Sequence, residues 1–232
     1  DTANLGEFKL SPPYLVALWG GLTVIDISDP LEPKKIGNYA QLNNATGLAV
    51  AGNYVYVTTL FSGIQIIDIS DPQHYFTAGV YFPYTLTHDF MISGEYAYVA
   101  GSNTGTVYEG GIKVVDLTDP IAPVQVGGLY MVLSDYAKMT IGNGYLYLTT
   151  NDQISINNVL QILDISTATA PILVSTYPMQ TFVGLDIALA GEYAFLAGYI
   201  GNYPGCEFDC LGGLLVLNIA DHGFGVAGYD LD

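Results

Sequence analysis

"GIQIIDISDP", residues 63–72, returns with small changes as "GLTVIDISDP" at 21–30 and "GIKVVDLTDP" at 111–120. A second phrase runs ahead of it: "GNYVYVTT" from Gly52, "GEYAYVAG" from Gly94, "GNGYLYLTT" from Gly142 and "GEYAFLAG" from Gly191. Tyr54, Tyr96, Tyr145 and Tyr193 anchor the second phrase, with Tyr14 of "PPYLVALW" as a fifth; Asp26, Asp68, Asp116, Asp164 and Asn218 close the first in step with them. The period of about forty to fifty residues is that of propeller blades.

Within residues 45–82 four short runs, "GLAVA", "YVYVTT", "GIQIIDI" and "TAGVYF", are rich in β-branched and aromatic residues and read as strands A to D. Gly-Asn or Gly-Glu suits a tight A-B hairpin, and Ser-Asp-Pro suits a C-D turn in which Pro presets φ. No segment shows a sustained helical period. Five such units follow, at approximately 5–41, 45–82, 86–130, 135–177 and 183–232. The predicted fold is all-β, a five-bladed β-propeller of four-stranded antiparallel blades forming a single domain over 1–232. Closure removes exposed sheet edges; an open fragment of a larger propeller is the alternative.

Half of the 232 residues are apolar, enough for a substantial core. No run reaches the roughly 18 apolar residues of a membrane span, and "DTANLGEFKL" has no leader pattern. Five Lys, no Arg and 22 acidic residues give a net charge of −17, which opposes approach to nucleic acid or an anionic membrane. Cys206 and Cys210, in "GCEFDC", suit a small disulfide ring in an oxidising compartment; no further soft ligand lies nearby for a metal site.

The runs "LTVIDISDP", "GIQIIDISDP", "IKVVDLTDP" and "VLQILDIST" resemble the LVIVD repeat of surface-associated bacterial and archaeal propellers. The resemblance covers nearly the whole chain and implies a cell-surface or secreted location more than any reaction. The last two copies depart from it. Thr167 and Ala168 replace Asp-Pro, and "LNIADHG" lacks both the first Asp and the Pro, which puts the turn geometry there in question. The repeated Asp residues read as acceptors for backbone N-H groups in the turn, in preference to a repeated cation site.

Tight turns occupy the A-B and C-D end of each unit, whereas the insertions "GSNTGTVYEGG" (101–111), "TNDQISINN" (150–158) and "GYIGNYPGCEFDCLGG" (198–213) fall between strands B and C. Variable loops carry recognition, so the B-C/D-A end is the predicted working face. Its aromatic set, Trp19, Phe61, Tyr108, Tyr199, Tyr203 and Phe208, with Leu60, offers stiff contact area for a protein or a glycan. Glu7, His88, Asp89, Lys138 and Asp186 open the inner strands around a predicted central channel.

Three carboxylates there invite comparison with five-bladed glycoside hydrolases, but Lys138 would pair with one of them and only Glu7 is a Glu. Calcium is a candidate for the polar loops with Asn103, Glu109, Asn151, Asp152, Asn157, Glu207 and Asp209, although the EF-hand spacing is absent. His74 and His222 have no ligand partner in sequence. The function expected is therefore noncatalytic binding or assembly outside the cell, by a protein or glycan partner at the loop face; a structural subunit that self-associates in an extracellular filament or coat is the alternative.

Overall fold

The computed structural model describes residues 7–18, 21–39, 42, 45–59, 62–71, 74–103, 109–131, 133, 136–152, 157–180, 182–200, 211–220 and 225–231. Twenty strands form five separate four-stranded antiparallel sheets, the blades of a five-bladed β-propeller. Blade 1 comprises β1 (Glu7–Ser11), β2 (Tyr14–Leu18), β3 (Leu22–Asp26) and β4 (Lys34–Tyr39). Blade 2 comprises β5 (Ala45–Ala51), β6 (Tyr54–Thr59), β7 (Gly63–Asp68) and β8 (Phe76–Tyr81). Blade 3 comprises β9 (Leu86–Ser93), β10 (Tyr96–Asn103), β11 (Glu109–Asp116) and β12 (Val124–Met131). Blade 4 comprises β13 (Tyr136–Gly142), β14 (Tyr145–Asp152), β15 (Asn157–Asp164) and β16 (Ile172–Gln180). Blade 5 comprises β17 (Phe182–Ala190), β18 (Tyr193–Ile200), β19 (Leu211–Asn218) and β20 (Gly225–Leu231). The chain forms two compact units, 1–99 with 115–125 and 100–114 with 126–232. Among the described residues no helix is long and apolar enough to cross a membrane.

The repeated phrase is strand C and its exit turn. Two residues before the closing Asp, Val24, Ile66, Val114 and Ile162 are each 0 % exposed; in blade 5 that position, Val216, is half-buried and the neighbouring Leu217 is 0 % exposed. Side chains alternate between the two faces of a blade, so each sheet is apolar on both sides and must be covered twice. In the first unit Leu48, Val55, Val57 and Ile67 of blade 2 join Val16, Leu22 and Val24 of blade 1. The opposite face of blade 2 gives Ala49, Tyr56, Ile64 and Ile66 to a cluster with Phe90, Ala97, Val99 and Val115 of blade 3. In the second unit Tyr147, Leu160 and Ile162 pack with Ile187, Leu196, Leu215 and Leu217. Burial pushes the Tyr56 hydroxyl up to about 12, with neighbouring Tyr54 adding to the shift.

The Asp that closes the phrase is a turn builder. Asp26 Oδ1 accepts the Ser28 amide at 2.8 Å and the Ser28 hydroxyl at 2.6 Å, and Asp116 Oδ1 does the same for Thr118 at 2.7 and 2.6 Å. Asp68 and Asp164 each accept the amide two residues on, at 2.7 Å. Asn218 offers its amide oxygen to Ala220 N-H at 2.9 Å, so the fifth copy keeps the turn without the charge. Thr167 likewise keeps it without Asp-Pro: its carbonyl accepts Ala170 N-H at 2.9 Å, as Asp29 and Asp119 do for Glu32 and Ala122 at 3.1 Å. The next residue of each phrase donates its N-H to the A-B turn of its own blade, Ile27 to Pro13, Ile69 to Asn53, Leu117 to Glu95, Ile165 to Gly144 and Ile219 to Glu192, at 2.8–3.0 Å. The two tight turns of a blade are thereby latched together.

These bonds hold the carboxyls of Asp26 and Asp116 below the ordinary carboxylate value of 3.8. A depressed folded pKa contributes stability that is complete above the unfolded value and is lost as pH falls through the folded one. Asp116→Asn, which copies the natural fifth turn, is therefore expected to melt slightly below the parent near neutral pH and to lose less of its stability below about pH 4. Asp116→Ala is expected to melt lower than both at neutral pH.

Candidate functional site

The two ends of the blades differ in chemistry. Among the described residues the buried polar side chains are Thr58, Thr59, Thr87, Asp89, Ser102, Thr149, Thr150 and Asn158. Every one stands in the half of its strand nearer the B-C/D-A end of its own sheet, with Asp89 and Thr149 close to mid-strand. Burying such groups costs free energy unless they find partners, so the gathering of these eight at one end marks it as the more polar of the two; the other end buries the Tyr75 hydroxyl.

In blade 2 the partners are explicit. Thr59 Oγ1 donates to Gly63 O at 2.9 Å and accepts Ser62 N-H at 3.0 Å, closing the B-C turn. Thr58 Oγ1 takes a hydrogen bond from Thr46 Oγ1 at 3.0 Å. Gly47 is bare because a Cβ there would stand 2.7 Å from Thr58 Oγ1 and 3.6 Å from Asp89 Oδ1. Thr149, the equivalent of Thr58 in blade 4, donates to Lys138 O at 3.4 Å. Thr87 Oγ1 is buried with no hydrogen-bond partner among the described residues. The sequence signal for this belt is the paired Thr that ends "YVYVTT" and "YLYLTT".

Of the predicted inner-strand residues, Glu7 and Asp186 engage partners on their own strands. Glu7 Oε1 pairs with Lys9 Nζ at 3.2 Å along β1. Asp186 is exposed and its Oδ1 accepts Ile187 N-H at 2.9 Å, beside a register shift between Gly184 and Asp186. Asp89 is buried and faces Gly47 of blade 2. His88 and Lys138 are half-buried and, like Asp89, are engaged with neighbouring groups. Among the described residues no three His, Cys, Asp or Glu side chains converge as a metal site would need.

The predicted aromatic set falls mostly outside the described residues: Trp19, Phe61, Tyr108, Tyr203 and Phe208 lie there, as do Leu60, Cys206 and Cys210. Tyr199 is described and is half-buried on β18, opposite Val183 on one side and Gly212 on the other. It therefore belongs to a strand and not to the loop predicted over 198–213. The same correction applies to the other insertions. Pairing continues to Asp152↔Asn157 in blade 4 and to Ile200↔Leu211 in blade 5, because antiparallel partners go on satisfying each other's backbone groups. Strands B and C are 8 residues long in blades 3, 4 and 5, against 5 in blade 1 and 6 in blade 2. Part of each insertion is a taller hairpin at the B-C end.

The LVIVD repeat model matches residues 14–41, 43–81, 86–130 and 140–178. None of the curated proteins compared with the chain matches it in sequence. Among solved structures, the chain is similar to one from Desulfotomaculum acetoxidans described as functionally unknown, with TM-score 0.69, 13 % identity, and coverage of 97 % of this chain and 74 % of that one. It is similar also to a chain of Kuenenia stuttgartiensis hydrazine synthase, with TM-score 0.62 and 20 % identity over 91 % of this chain. The chain spans 62 % of the length of that hydrazine synthase chain. At these identities the likeness is one of fold.

Proposed function

Since the chain belongs to the LVIVD-repeat family, whose matched phrases are spent on strands and turns, we propose that it is a noncatalytic extracellular or cell-surface protein that binds a protein or glycan through the B-C/D-A end of its blades. The observation that carries this reading is that the described buried Thr, Ser, Asn and Asp side chains all lie toward that end, while the opposite end buries the Tyr75 hydroxyl. Two others support it. The taller B-C hairpins of blades 3 to 5 rise there, and the Thr87 hydroxyl, without a partner among the described residues, adds hydrogen-bonding capacity. At the opposite end the phrase-closing Asp residues have an oxygen committed to their turns.

A noncatalytic role is supported by the engagement of Glu7 with Lys9 and of Asp186 with its own strand, since a glycosidase pair needs one carboxyl to hold a proton and the other to face the same bond. The test is an array of glycans and extracellular proteins probed with the purified chain. Tyr199→Ala is expected to weaken the selected ligand about tenfold, the ordinary cost of one buried aromatic contact, while Asp116→Asn at the other end leaves affinity unchanged. Binding insensitive to Tyr199→Ala and lost in Asp116→Asn would overturn the assignment.

A further inference from the structure

Neighbouring blades meet through one repeated joint, the forward face of one blade against the rear face of the next. Val16, Leu22 and Val24 on the forward face of blade 1 pack with Leu48, Val55 and Val57 on the rear face of blade 2. Tyr56, Ile64 and Ile66 of blade 2 pack likewise with Phe90, Ala97 and Val99 of blade 3, and Tyr147, Leu160 and Ile162 of blade 4 with Ile187, Leu196 and Leu215 of blade 5. Every one of these residues is buried.

Side chains alternate along a strand and cross-strand partners share a face, so the register fixes what the rear face of blade 1 and the forward face of blade 5 carry. On blade 1 these are Phe8 and Leu10 of β1, paired with Ala17 and Leu15 of β2, and Ile25 of β3 beside Leu15. Phe8 and Leu10 are 62 % and 63 % exposed, whereas Leu48, at the place of Phe8 in blade 2, is 2 % exposed. On blade 5 the corresponding side chains are Tyr193 and Phe195 of β18 with Leu214 and Val216 of β19. Tyr193 and Leu214 are 41 % and 37 % exposed and Phe195 and Val216 are half-buried, whereas Tyr147, Leu160 and Ile162, at the places of Phe195, Leu214 and Val216 in blade 4, are buried. Both end faces are thus apolar and open to water. Asp186, exposed on the blade 5 face, pairs with Ala197 as Lys138 pairs with Thr149 in blade 4, so the joint there already carries a charge at that inner-strand place. Glu7, the acid of β1, is paired with Lys9. At the outer strands the register sets Lys35 opposite Ile25 and Asp230 opposite Leu214.

We propose that these two end faces form the same joint between copies of this chain, with the forward face of blade 5 of one copy seated on the rear face of blade 1 of the next. A second copy is the occupant because it brings the matching half of a joint that the chain itself builds between blades 1 and 2, blades 2 and 3, and blades 4 and 5. Removal of apolar surface from water drives the contact, and the net charge of −17 on each copy opposes it, so added salt tightens the association by screening that charge. Because the two faces differ, the contact is head-to-tail and propagates unless its rotation closes a ring. It uses the sides of the blades and not the loop end, so it stands or falls independently of the ligand proposed above.

The experiment is the weight-average mass by light scattering as a function of concentration, up to about 0.1 mM, with salt set so that screening extends about 8 Å. The parent is expected to rise from 24.8 kDa to at least twice that mass. Leu10→Asp blocks the blade 1 face and Leu214→Asp the blade 5 face, and each variant alone is expected to stay at 24.8 kDa. Their equimolar mixture is expected to reach twice that mass and stop, because the intact blade 5 face of the first seats on the intact blade 1 face of the second and both remaining faces of the pair are blocked. Circular dichroism checks that each variant is folded, and Phe8→Asp and Tyr193→Asp, also at exposed positions, replace one that is not. A parent that is monomeric at every concentration, a folded variant that associates as the parent does, or a mixture that stays at 24.8 kDa would each overturn the proposal, the first being the outcome if a different protein is the occupant.

Discussion

Replacing Gly111 with Ala is expected to destabilise the protein by on the order of 3 kcal/mol, read as a lower urea midpoint at unchanged slope. Gly111 opens the third copy of the repeated phrase and sits at φ +142, a region that L side chains rarely adopt. A Cβ there would collide with Leu129 O and stand 2.9 Å from Met131 N, both backbone atoms of the adjoining outer strand. Backbone cannot swing aside as a side-chain tip does. The opening Gly21 and Gly63 share the positive φ, at +143 and +70. Blade 4 has Val159 at that place, and there the pairing of β15 with β16 shifts register between Asn158 and Val159, which gives the side chain room. Gly212→Ala, with nothing within 4 Å of its Cβ position, is the matched control and is expected to fall within about 0.5 kcal/mol of the parent.

Ile66→Ala is expected to cost about 4 kcal/mol, in the upper part of the range for large-to-small core changes. Ile66 is 0 % exposed and lies in the middle of strand C of blade 2, packed among Tyr56, Phe90, Ala97 and Val115. It already borders a small apolar cavity shared with Ile64, Tyr81, Leu117 and Pro123. Removing its outer carbons enlarges that void. The flanking strands are tied into ladders on both sides and have little freedom to collapse into the space, which is the condition under which the cavity penalty is paid in full. Val80→Ala on the exposed outer strand of the same blade is expected to change stability by less than about 1 kcal/mol.

The architecture was legible because the chain states the same instruction five times. A phrase with period-two apolar positions, a closing Asp or Asn and a tight turn fixes strand C in each blade, and the Tyr phrase fixes strand B beside it. The Asp reading followed from local chemistry alone: a carboxylate two residues before a free amide is held there by short-range geometry, and Asn218 shows that only the oxygen matters. Other features depend on long-range placement and leave little trace. That Gly47, Gly79 and Gly111 are bare because another strand or turn passes close by is a tertiary fact. The loop residue Tyr199 turned out to lie on a strand because polar and Gly-rich sequence still pairs when a partner strand runs alongside it. The polar belt was written in the paired Thr residues, but threonine is a common strand former, and its burial at one end emerged only from the fold.

The central claim is that ligand recognition belongs to the B-C/D-A end. The most direct measurement is amide hydrogen exchange of the chain with and without the glycan or protein that the array selects. Protection is predicted at the tips of the B-C hairpins, around Asn103–Glu109, Asp152–Asn157 and Ile200–Leu211, and at the starts of β5 and β9. Protection confined to the A-B and C-D turns, around Asp26, Asp68, Asp116 and Asp164, with the hairpin tips exchanging as in the free chain, would contradict it.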